Sequence, residues 1–196
     1  PADTAQLFDS YRALVRLRGN DSALPADLWE QRTDPAAPAE LPAEITNRYP
    51  TLVPCDAVRA ELDQAVLAWV KAPAPGHAAT LCHISLGLAH SAPTPALRCA
   101  WQLVAGWWDA QAAALLPPDI YAKRLAARVL MLYGQQLKGA SAATTPLLDE
   151  LRFFCAQGVQ KLQQAPLDSA PIFSAICLVY ELIPAPTAPQ KEAAAE

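Results

Sequence analysis

His77-Ala78-Ala79-Thr80-Leu81-Cys82-His83-Ile84-Ser85-Leu86-Gly87-Leu88-Ala89-His90-Ser91-Ala92 runs for sixteen residues without a proline. It reads as one helix. At about 100° per residue, Leu81, Ile84, Ser85 and Leu88 gather on one side, while His83, Leu86, Gly87 and His90 fall on the opposite side. An amphipathic helix buries its apolar stripe in a neighbour's groove. His83 is therefore expected in solvent, with Gly87 one turn further on and no side chain there to shield it. That layout suits a residue that another protein must reach.

Working outward, the same period recurs. Ala, Leu and Gln are abundant and Gly is scarce, which favours helix nearly everywhere, and the 19 prolines cluster between the periodic segments. Asp3 can cap a first helix carrying Leu7, Tyr11, Leu14 and Val15, stopped at Gly19-Asn20. Pro25 opens a short segment with Leu28 and Trp29. Residues 34–54 hold five prolines and little periodicity, and read as a linker or an extended strap. Asp56 caps a helix to Lys71, and the His83 helix follows and stops before Pro93. Thr94-Pro95 starts a helix over 94–116 whose inner face is Leu97, Trp101, Val104, Trp108 and Leu115, with Trp107 beside that stripe and partly exposed. Further helices are expected over 119–138, over 145–164 with Leu148, Leu151, Cys155, Val159 and Leu162 in register, and from Asp168 to Ile183.

The class is all-α, and short connections force neighbouring helices to run antiparallel, giving an up-down bundle. The expected organisation is an N-terminal helical segment (1–33), the linker or strap (34–54), the bundle (55–183) and a linker tail (184–196), the whole read as a fragment of a longer protein.

A net charge of −4, with Lys and Arg forming no stripe, gives no field for a phosphate backbone, so nucleic acid is not an expected partner. No apolar run approaches the roughly 20 residues that span a bilayer, and no signal peptide is evident, so the expected compartment is the cytoplasm without membrane contact. The five cysteines lack a C-x-x-C spacing and read as reduced, mostly core thiols. His83 and His90 share a face but lie roughly 10 Å apart along the axis, too far for one metal ion. No metal and no cofactor is expected. No nucleotide motif or acid-base pair stands out, which leaves a self-contained enzyme unsupported.

The stretch from His83 to Ala89 resembles the histidine-phosphotransfer motif His-x-x-Lys-Gly-x-Ser/Ala, matched at His83, Gly87 and Ala89, with Leu86 where the family has Lys. The segments 123–130 and 147–157, and the N-terminal Tyr11-Arg12-Ala13-Leu14, Leu17-Arg18-Gly19 and Pro25-Ala26-Asp27-Leu28-Trp29, are similar to the tandem phosphotransfer-like region of CheA-like kinases of type IV pilus (twitching) chemosensory systems. The resemblance implies a phosphotransfer-like four-helix core with added N- and C-terminal helices. It implies His83 as phosphoacceptor, the face around Leu86, Gly87 and His90 as docking surface, and a response-regulator receiver and a kinase module as partners. Lys123, Arg124 or Arg128 would then screen phosphate in place of the missing Lys.

Two readings follow. With an ordinary pKa of about 6.5, an exposed His83 would be largely neutral at pH 7 and nucleophilic, as a relay requires. A degenerate domain would keep the shape for docking without the chemistry. An open imidazole beside a cation favours transfer; a side chain lying over the ring favours docking alone. A third class, a dimerising scaffold, expects Leu147, Phe153 and Phe154 to be buried between two copies.

Overall fold

The computed structural model describes residues 4–19, 40–166 and 168–182. Among them the chain is all-helical: α1 (Thr4–Leu17), α2 (Ala43–Thr46), α3 (Asp56–Lys71), α4 (Pro75–Ser91), α5 (Pro95–Ala112), α6 (Ile120–Leu137), α7 (Thr145–Leu162) and α8 (Pro171–Val179). The expected segment with Leu28 and Trp29, and the tail 184–196, lie outside the described residues.

The helix starts are local chemistry. Thr94 accepts from the Leu97 amide at 3.2 Å with Pro95 in the first turn, and Asp119 accepts from the Ala122 amide at 2.9 Å. Asp56 is not a cap but the first residue of α3, where its carboxylate meets the positive helix end. Three residues separate α3 from α4 and α4 from α5, too few for anything but a reversal of direction.

α5 is the centre. Thirteen of its eighteen residues are buried, so it is apolar all round and must be covered all round. α4, α7 and α8 pack on it, while α3 bridges α4 and α6 and α7 bridges α6 and α8. Trp107, expected at the edge, is fully buried: its ring meets Trp69 of α3 edge-on at 6.1 Å and Trp108 at 4.3 Å. Backbones approach closely where glycine allows it. A Cβ on Gly106 would stand 2.9 Å from Ile176 of α8, and one on Gly158 would stand 2.8 Å from Phe173. Trp101 donates its indole N–H to Gln136 at 2.7 Å, which ties α5 to α6.

Leu147, Phe153 and Phe154 are all buried within one chain, the two rings edge-to-face at 5.5 Å, so that surface is not free to join two copies. The α6/α7 contact includes the Arg128–Glu150 ion pair, whose carboxylate is buried. Cys82, Cys99, Cys155 and Cys177 are buried thiols and Cys55 is exposed. Burial pushes the Cys177 thiol up to about 12, far from the range of a reactive thiolate. α8 ends earlier than its periodicity suggests, at Val179, where Glu181 follows with a positive φ of 52°.

Gly134 lies in the last turn of α6 with nothing within 4 Å of where a Cβ would stand. Gly134→Ala is expected to stabilise the fold by about 0.5–1 kcal/mol through helix propensity, raising Tm by about 1–4 °C in a chain of this size. A thermal melt followed by circular dichroism checks it.

Candidate functional site

α4 carries His83 into solvent as its periodicity requires, with Thr80 and Gly76 exposed beside it. The rest of the expected open face is closed. Leu86 and Gly87 are buried and His90 is half-buried. The reading of Leu86 and Gly87 as an exposed docking surface is therefore corrected. α4 is covered by α3 and α5 on one side and by the segment 47–55 on another, so a single apolar stripe understates what it buries.

That segment overlaps the end of the stretch 34–54, read from sequence as a linker or a strap, and it lies against α4. The Leu52 amide donates to the Gly87 carbonyl at 3.0 Å, and the Ser91 hydroxyl donates to the Leu52 carbonyl at 2.5 Å. Its end is pinned to α6, where the Tyr133 hydroxyl accepts from the Cys55 amide at 3.0 Å and donates to the Cys55 carbonyl at 2.8 Å. A Cβ on Gly87 would stand 2.7 Å from Leu52 Cγ and 2.8 Å from the Pro50 carbonyl oxygen. The motif glycine admits this chain's own backbone. Upstream of that contact, Tyr49 lies over His83, with ring centroids 4.5 Å apart and planes inclined by 30°.

Asp109 of α5 interacts electrostatically with the imidazole, and its carboxylate accepts from the Phe173 amide at 2.8 Å. α8 has no side-chain cap of its own, so Asp109 caps it from another helix. Burial pushes the Asp109 carboxyl up, opposed by the Phe173 and Ile172 amides and by His83.

Lys123, Arg124 and Arg128 all belong to α6, which packs on α3 and α7, and Arg128 is committed to Glu150. The structure thus gathers the three cations on one helix and does not bring them to His83. His90 lies two turns along α4 from His83, at a cavity of about 430 Å³ shared with Glu40, Leu41, Thr46, Arg98 and Gln102. Burial, then the Arg98 charge, lowers its pKa, so its imidazole is neutral at pH 7. Among the described residues no group of three His, Cys, Asp or Glu side chains could hold a metal ion, and no helix is long and apolar enough to cross a membrane.

Tyr49 and Asp109 were not among the residues singled out from sequence. Both act across long sequence separations. The only signals were a proline-rich segment long enough to reach back over α4, and a helix start at Ala170-Pro171 with no capping side chain.

Residues 51–192 match the family model described as FimL scaffold protein second domain. No curated protein and no solved structure matches the chain.

Two substitutions test this geometry. Gly87→Ala gains about 1 kcal/mol of helix propensity but drives a methyl into backbone, an overpacking that costs about 1–3 kcal/mol. The expected result is a net loss of stability together with faster hydrogen exchange at the Leu52 amide. Asp109→Ala leaves the Phe173 amide unpartnered and is expected to cost about 1–2 kcal/mol in urea denaturation, whereas Asp109→Asn keeps an acceptor and costs less. Because the folded carboxyl titrates above its ordinary value, the wild type loses stability as pH rises from about 4 through that raised pKa. Asp109→Asn does not share this loss, so the gap between the two narrows or reverses toward neutral pH.

Proposed function

Because the chain belongs to the FimL scaffold protein second-domain family, matched over residues 51–192, we propose that it is a signalling-scaffold domain of a type IV pilus chemosensory system that holds protein partners without relaying phosphate. The observation that carries this reading is Tyr49 stacked on His83 while the strap occupies the surface at Gly87.

A relay histidine needs a partner's aspartyl phosphate to approach closely and a cation to balance the phosphoryl charge in the transition state. Here the close-approach position at Gly87 is taken by Pro50 and Leu52. The position that the motif gives to Lys is the buried Leu86, and the ionisable neighbour is Asp109, whose carboxylate repels a phosphoryl group. The bundle and the exposed edge of His83 remain, which suits recognition of a receiver domain by shape.

The one feature favouring a relay is that His83 is exposed. Label transfer decides between the two. Receiver domains of the pilus system carrying radiolabelled aspartyl phosphate are mixed with the wild-type chain, with His83→Gln and with Tyr49→Ala. The expected outcome is no label on any of the three, with a receiver still bound in a pull-down. Label on the wild type that disappears in His83→Gln would establish a relay and overturn the scaffold-only reading.

A further inference from the structure

α6 carries Lys123, Arg124 and Arg128 and no acidic residue between Ile120 and Leu137, in a chain whose net charge is −4. Lys123 and Arg124 sit just past the first turn, where the helix dipole disfavours cations, and neither forms an ion pair among the described residues. Arg12 of α1 adds a third charge there, its guanidinium donating to the Tyr121 hydroxyl at 3.1 Å. Three cations thus gather near the start of α6, beside the single Asp119 carboxylate that caps it.

The same face also carries exposed apolar side chains. Ile120 and Met131 are 56% and 63% exposed, and at about 100° per residue they fall in one row with Arg124 and Ala127. Beside that row a groove of about 310 Å³ runs between α6 and the start of α7. Its α6 wall is Arg128, Met131, Leu132 and Gln135, the i, i+3, i+4, i+7 spacing by which one helix lies along another; Pro146 and Leu147 form the α7 wall.

We propose that this face is the seat of an acidic amphipathic helix of a partner protein. Its apolar stripe would enter the α6/α7 groove over Met131, and its carboxylates would meet Lys123 and Arg124. A flexible thioether accommodates varied apolar anchors, and carboxylates complement Lys123 and Arg124. An anionic bilayer fits less well: α6 turns Leu125, Val129 and Tyr133 into the core, leaving Ile120 and Met131 as the large side chains of this row to insert, and the chain as a whole is negative. The proposal rests on the scaffold reading and names a surface for it away from His83.

The test uses a fluorescein-labelled helical peptide of about five turns, with leucines on one face and glutamates flanking them, and a scrambled peptide of the same composition. Fluorescence anisotropy is measured against the wild-type chain, the double variant Lys123→Glu/Arg124→Glu and Met131→Glu, each first shown by circular dichroism to melt as the wild type does. The expected result is binding of the patterned peptide alone, weakened about tenfold or more in both variants and reduced by added salt. Absent binding, or equal binding to all three proteins, overturns the proposal. So does sedimentation with phosphatidylserine vesicles that the variants abolish while the peptide fails to bind, which would make the face a membrane contact. A doubled mass of the wild type by light scattering that the variants return to one chain would make it a contact between copies, and overturns it equally. Receiver pull-downs on the same proteins separate the two readings: a receiver retained where the peptide fails sinks this surface and leaves the scaffold reading standing.

Discussion

Everything in this structure depends on covering α5. A helix with thirteen buried residues out of eighteen has no solvent side, so its neighbours are arranged around it like a sleeve. α4, α7 and α8 each supply an apolar face, and glycines at 106 and 158 bring α8 close enough to leave no gap. Some of the polar groups this buries find partners, while the indole N–H groups of Trp107 and Trp108 and the Gln111 amide nitrogen are buried without one. Gln136 accepts the Trp101 indole, Ser85 returns its hydroxyl to the Leu81 carbonyl at 2.7 Å, and Asp109 takes the open end of α8. Burial of a polar group costs free energy unless it is hydrogen-bonded, which is why these pairings recur at the core.

The demand for cover also explains what became of the face that resembles a relay. α4 is buried on more than one side, and the segment before α3 covers it at Gly87 while His83 stays exposed. The strap is held by backbone hydrogen bonding to α4, by the Ser91 hydroxyl and by Tyr133 at its end. Gly87 is what lets it lie so close. A glycine that would admit a partner protein in a phosphotransfer domain here admits the chain's own backbone, and Tyr49 follows onto His83. The same motif residues are compatible with two opposite uses because glycine supplies only space. What enters the space is a tertiary matter.

Charge is distributed with a similar division. The acidic excess of the chain hides a basic helix, because α6 collects its cations on one outer face while Asp109 sits inward beside His83. Asp109 lies in α5 and the three cations lie in α6, which packs on α3 and α7. The two surfaces lie on different helices of the bundle, which suits a domain that holds more than one partner.

Local sequence suffices for the all-α class, the order of the helices from residue 56 onward, the helix starts at Thr94 and Asp119, and the exposure of His83, because helical period, capping chemistry and proline punctuation act within a turn or two of the residue concerned. Only the tertiary structure decided that Leu86 and Gly87 are covered, that Trp107 belongs to the core, that Asp109 caps α8, and that Lys123, Arg124 and Arg128 serve α6 rather than His83. Each of these depends on which remote segment fills the space beside a residue. A helical wheel states which side chains share a face, but burial is set by how many faces find a neighbour, and for α4 and α5 that number exceeds what one amphipathic stripe can reveal.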